Sequence, residues 1–167
     1  MKSRVMKMNR RKKAHIVSLL CIILAAVLCF LRFYLPVFNP GHIFYDNNLL
    51  LSEIDRYHSE KAVQMPFGGD SEGNFSFGKF SGAKTVKTIM LHENGSLFYS
   101  WDVYVERGHF KIVLIDIENQ KILETICDGS SNGNSEIHNL PNGEYCIKFV
   151  GDQAAVSGKF SITESNW

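Results

Sequence analysis

Residues 97–106 read LFYSWDVYVE, and this decamer decides the fold. Leu97, Tyr99, Trp101, Val103 and Val105 occupy every second position, with Phe98, Ser100, Asp102, Tyr104 and Glu106 between them. Side chains alternate between the two faces of a β-strand, so the first set shares one face and the second set the other. The first set is the more apolar and is expected to face a core.

The same period of two continues on both sides. Upstream, Phe75 and Phe77 alternate with Asn74 and Ser76, and residues 85–91 form a second strand. Residues 92–95 form a turn whose Asn94-Gly95 pair suits a tight hairpin. Downstream, Arg107-Gly108 is read as a turn into Phe110, Ile112 and Leu114. Residues 116–120 turn again into a strand over 121–127. A polar loop, a short segment around Ile137, the turn Pro141-Asn142-Gly143, a strand over 144–150 and a last strand with Val156, Phe160 and Ile162 complete the series. Seven or eight short strands joined by Gly and Asn turns predict an all-β antiparallel sandwich of jelly-roll or immunoglobulin-like type. About ninety residues are enough for such a core.

Before this domain, over residues 39–72, a membrane-proximal linker is expected. Asp46, Asn47 and Asn48 offer N-caps, and Leu50, Ile54 and Tyr57 recur at helical spacing, which predicts a short amphipathic helix that packs against the domain or forms part of a stalk. Pro66, Phe67, Gly68, Gly69 and Asp70 then punctuate, and mark the boundary of a β-domain over 73–167.

The charges are segregated along the chain. Lys2, Arg4, Lys7, Arg10, Arg11, Lys12 and Lys13 come first, and every Asp and Glu lies at Asp46 or later. Residues 16–31 between them carry no charge, and FYLPVF follows Arg32. A bilayer core of roughly 30 Å needs about 20 helical residues, so a transmembrane signal-anchor over 16–38 is expected if Arg32 snorkels to the headgroups. Phe33, Tyr34 and Phe38 would form an aromatic belt, with Pro36 and Pro40 ending the helix. The positive-inside rule leaves residues 1–15 as a basic cytoplasmic head and puts the C-terminal domain outside the cell membrane. Bulky residues in RFYLPVF disfavour a cleaved signal peptide, and Leu20 before Cys21 and Leu28 before Cys29 disfavour a lipidated cysteine. The acidic C-terminal part argues against a nucleic-acid partner, which needs clustered cations.

Read together, GKFSGAKTVKTIML (78–91), YSWDVYVERGHFKIVLID (99–116) and NGEYCIKFVGDQAAVSGKFSI (142–162) resemble small extracytoplasmic β-sandwich modules of Gram-positive Firmicutes. The resemblance covers residues 73 to 163. It implies a β-sandwich at a bacterial cell surface and brings no catalytic residues. Cys127 and Cys146 depart from the group's pattern.

Those two cysteines lie on neighbouring predicted strands outside the reducing cytoplasm, where a disulfide is permitted. Two buried free thiols are the alternative, since the strand register decides. In the segment from Asp128 to Glu136, Asp128, Ser130, Asn132, Asn134 and Glu136 place oxygens at alternate positions with Gly133 at the sixth. This resembles the first half of a calcium loop, the one cofactor suggested here, but Asn139 stands where the bidentate Glu belongs. A solvated hairpin loop is the simpler reading. Phe98, Tyr104 and Trp167 are candidate exposed aromatics that could stack on sugar rings. His42, His58, His92, His109 and His138 are scattered singly, with no HExxH and no nucleophile elbow, so no enzyme is expected. The expected function is a membrane-anchored interaction or structural module of the cell envelope, partnered by another envelope protein. A carbohydrate- or cell-wall-binding module is the alternative.

Overall fold

The computed structural model describes residues 10–34, 39–64, 72–92 and 95–165. The chain divides into an N-terminal helical unit and a β unit that begins at Asn39. In the first, helix α1 runs Arg10–Tyr34, and the side chains of residues 15–30 are all exposed. Among the described residues no helix is long and apolar enough to cross a membrane. The expected anchor reaches to residue 38, and positions 35–38 lie outside the described residues, as do the first nine residues of the basic head.

The β unit contains a 3₁₀ turn, Pro40–Phe44, helix α2, Asn47–Leu50, and strands β1, Arg56–Glu60, and β2, Val63–Gln64. Strands β3, Glu72–Leu91, β4, Gly95–Asp116, β5, Lys121–Asp128, β6, Ser131–Leu140, and β7, Gly143–Ser165, follow. All pairings are antiparallel, in the order β1-β3-β7-β4-β5, with β2 also on β3 and β6 also on β4.

Three strands are far longer than the short segments expected. β3, β4 and β7 each run through what the sequence suggested were two strands, because Arg107-Gly108 and residues 151–155 are bulges, not reversals. The pairing of β3 with β7 slips between Phe77 and Gly82, and that of β4 with β7 slips between Val105 and His109. Each slip adds an unpaired residue that bends its strand. The irregular positions lie side by side, with Phe80 opposite Ala154, Gly82 opposite Gly151, and His109 opposite Asp152. One sheet therefore folds across a common line into two layers. Layer I holds β2, residues 72–80, residues 154–165, residues 95–105 and β6. Layer II holds residues 82–91, residues 143–151, residues 109–116 and β5, and β1 crosses the line between the layers, paired with residues 79–83.

The inner faces of the layers form the main core. Phe75 of layer I lies 4.5 Å, centroid to centroid, from Phe149 of layer II and stacks on Phe110 at 5.6 Å. Leu97, Tyr99 and Val103 are buried with them, and Trp101 and Val105 pack at the margin, as the alternation in 97–106 predicts. Burial and a hydrogen bond to Glu124 push the Tyr99 hydroxyl up to about 12.

Residues 39–51 pack on the domain, the first of the two roles open to this segment, and not as a free stalk. Ile43 and Leu50 bury against the outer face of layer II, with Ala83, Val113, Ile115, Cys146 and Val150. Asp46 does cap α2, accepting from Asn48 N at 2.9 Å and Leu49 N at 3.3 Å. The helix stops at Leu50, however, and Tyr57 lies in a strand. Lys148 Nζ donates to the carbonyls of Leu50 and Ser52, which ends the helix and ties it to β7. Both oxygens of Asp55 accept from Thr85, so the chain enters β1 already fastened to β3. The boundary expected at 66–70 and the residue Asn94 of the hairpin turn lie outside the described residues.

Two substitutions test this architecture. Gly82 has φ +108°, and a Cβ there would lie 2.0 Å from the Arg56 carbonyl oxygen, so Gly82→Ala is expected to cost about 3 kcal/mol or more in denaturant titration. Leu50→Ala should cost about 2–5 kcal/mol, as a core deletion does. A change below about 0.5 kcal/mol would mean that residues 39–51 are not part of the folded unit.

Candidate functional site

The outer faces of the two layers differ. Layer II is covered by residues 39–51, whereas no described segment covers layer I. Residues directly opposite in an antiparallel pair share a face, so the register gives the composition of this open surface. From β4 it presents Phe98, Ser100, Asp102 and Tyr104, and from β7 Ser157, Lys159, Ser161 and Thr163. β6 adds Asn132, Asn134 and Glu136, and β3 adds Glu72, Asn74 and Ser76. The rows run straight across the strands, for example Asn74, Lys159, Asp102 and Asn132.

Phe98 and Tyr104, both predicted as exposed aromatics, stand on this face with 44 % and 64 % of their surface exposed. They stand six positions apart on the strand, about 20 Å at roughly 3.4 Å per residue. Between them the surface is polar: Ser100 and Ser161 share a hydrogen bond at 2.8 Å, and Lys159 pairs with Glu72. Trp167, the third aromatic, lies outside the described residues.

The expected calcium loop is not a loop. Only Gly129 and Ser130 separate β5 from β6, and Asn132, Asn134 and Glu136 alternate along an extended strand. Along an extended strand these side chains follow one another in a row and do not close around one point, as the ligands of a calcium loop do. Ser130 is engaged with the backbone of Val105, its hydroxyl accepting from Val105 N at 2.8 Å. Among the described residues no group of three or more His, Cys, Asp or Glu side chains could hold a metal ion. What the sequence missed was that Asn132 and Asn134 line the same face as Phe98 and Tyr104. Their alternation was the available signal.

Of the two readings open for Cys127 and Cys146, the structure has the free thiols. β4 lies between β5 and β7, with Ile112 opposite Cys127 and Ile115 opposite Cys146. Two strand spacings are about 9.6 Å, beyond the roughly 7 Å Cα limit for a bridge. The side chains also enter different cores, Cys127 between the layers and Cys146 beneath residues 39–51. Both are free thiols, and so are Cys21 and Cys29. Cys127 Sγ donates to Gly129 O at 3.1 Å. Burial pushes the Cys127 thiol up and that of Cys146 up to about 11.

One trio has the residue types of a hydrolase, Ser96, His138 and Glu136, but not the geometry. Ser96 Oγ lies 3.2 Å and Glu136 Oε1 3.4 Å from the same ring atom, His138 Nδ1. A relay needs the nucleophile and the carboxylate on opposite ring nitrogens.

No family model and no curated relative matches the chain. Solved structures similar to it include the carbohydrate-binding module TmCBM61 in complex with β-1,4-galactotriose, at 16% identity and a TM-score of 0.41, covering 77% of this chain and 95% of that one. A family 29 carbohydrate-binding module, CBM29-2, is 14% identical with a TM-score of 0.36, covering 67% and 81%. The Aeromonas hydrophila periplasmic lysozyme inhibitor PliG is 15% identical with a TM-score of 0.33, covering 61% and 86%. Identities and scores this low leave the functional reading to the residues of this chain.

Because Cys127 and Cys146 are buried, unbridged and held as thiols, neither should react with iodoacetamide at pH 8 in the folded protein. Both should react once it is unfolded, with no reductant added. A mass shift on reduction alone would show a bridge.

Proposed function

We propose that the β unit is a carbohydrate-binding module whose glycan lies along β4 across the open face of layer I. The observation that carries this reading is the pair Phe98 and Tyr104, exposed at either end of one strand face with a hydrogen-bonding surface between them. Aromatic rings stack on the apolar C–H faces of sugars, while amides, hydroxyls and carboxylates meet the sugar hydroxyls. Asn132, Asn134, Asp102 and Lys159 supply both donors and acceptors at regular spacing. A protein partner would favour a more apolar centre, depleted of charge. Here Ser100 and Asp102 lie between the aromatics, which favours the glycan over an envelope-protein partner.

The experiment is retention of the full chain on insoluble glycans, including isolated cell wall, cellulose and galactan. Phe98→Ala with Tyr104→Ala should weaken retention about tenfold or more at an unchanged circular dichroism spectrum, since each stacking ring contributes about 1 kcal/mol. Failure of the native protein to bind any of these glycans would end the reading.

We propose in addition that α1 holds this module at a bacterial membrane, with the β unit on the outer side, as the resemblance to Firmicute modules implies. Residues 16–30 support this, fifteen uncharged side chains exposed on one helix after a basic segment. They cover about 22 Å at 1.5 Å per residue, so an anchor also needs Leu31 and the residues after it, with Arg32 at the headgroups. Alkaline carbonate should leave the full-length chain in the membrane pellet. Release into the supernatant would overturn the anchor and leave the glycan site untouched.

A further inference from the structure

Layer II carries a cavity that differs in composition from the aromatic face of layer I. It is a cavity of about 380 Å³ between residues 51–55 and the outer face of layer II, within the range of small-molecule sites. Glu144, Cys146 and Lys148 line it from alternate positions of β7, Thr85 and Thr88 from β3, and Ile115 and Ile117 form its apolar side.

Lys148 is the unusual residue here. Its side chain is buried, 3 % exposed, yet among the described residues it forms no ion pair. A lysine is almost never this buried without a carboxylate partner. Its ammonium has three N–H groups, and two go to the carbonyls of Leu50 and Ser52 at 3.3 and 2.5 Å. No protein acceptor for the third is present among the described residues, and Lys148 is one of the residues that line the cavity. The rest of the lining has the opposite charge. Asp55 accepts two hydrogen bonds from Thr85, which hold it in place and leave its charge, and Asp55, Glu53 and Glu144 have no ion-pair partner among the described residues. With one lysine against three carboxylates, the cavity is net negative and excludes anions. It suits a cation that also brings a hydroxyl.

We infer that this cavity binds a small amine-bearing polyol of hexosamine size. A ligand hydroxyl accepts from Lys148, the ligand ammonium faces Glu144 and Glu53, and the apolar side of the ring lies against Ile115 and Ile117. This site is independent of the glycan surface on layer I.

The test is NMR titration of the full chain, held in a detergent without a sugar headgroup, using glucosamine as the probe. Saturable shifts are expected at the amides of Thr88, Glu144 and Lys148. N-acetylglucosamine, which lacks the charge, and the variant Glu144→Gln should each weaken binding about tenfold, the scale of one charge-assisted hydrogen bond. Lys148→Met should abolish it. Because that variant also loosens residues 50–52, Glu144→Gln, which keeps every tie of the strap formed by residues 39–52, carries the decision. Absence of saturable shifts, equal affinity for N-acetylglucosamine, or shifts confined to the strands around Phe98 and Tyr104 would each overturn the inference.

Discussion

The structure depends on one line of bulges. Where β3, β4 and β7 cross it, Gly82, Gly108 and Gln153 adopt positive φ, and each strand turns from one layer into the other without breaking. A Cβ on Gly108 would come within 2.5 Å of the Gln153 carbonyl oxygen, so the corner is built at backbone contact distance. Because the three strands bend together, their ladders continue on both sides, and the two inner faces are brought against each other. The aromatic packing of Phe75, Phe110 and Phe149 follows from that bend, since Phe75 belongs to one layer and the other two to the second.

The bend also creates two outer faces, and the protein treats them differently. On layer II the register places Val113, Ile115, Cys146 and Val150 outward, an apolar surface that needs cover. Residues 39–51 supply it, fastened by four kinds of tie: Ile43 and Leu50 in the packing, Asp55 on Thr85, Lys148 on the strap's carbonyls, and Lys111 on the carbonyl of Phe44. The Lys111 ammonium also lies 4.5 Å from the Phe44 ring centroid, which adds a cation–π contact. Layer I has polar residues at the equivalent positions and needs no cover. Its availability as a binding surface is thus a consequence of strand composition, and the cavity under residues 51–55 is a consequence of the strap.

The cysteines show the same logic. Cys127 and Cys146 look equivalent in the sequence, each on a β-strand in an apolar setting. The central position of β4 separates them, and the parity of their strands sends them to opposite faces of layer II. Burial then raises both thiols, so they behave as small apolar residues.

By itself the sequence determined the strand character of the domain, the inner and outer faces of residues 97–106, the turn at 116–120 and the exposure of Phe98 and Tyr104. These depend on alternation and turn chemistry, which act over a few residues. Tertiary structure alone decided that Arg107-Gly108 bends a strand where a hairpin was expected, because a glycine at positive φ serves either purpose and only the partner strand selects. It also decided that residues 39–51 fold onto the domain, that 131–136 pair with β4 where a loop was expected, and that Asn132 and Asn134 join the aromatic face. Each of these depends on register between segments distant in the chain, and register is set by how the apolar faces meet across the whole sheet.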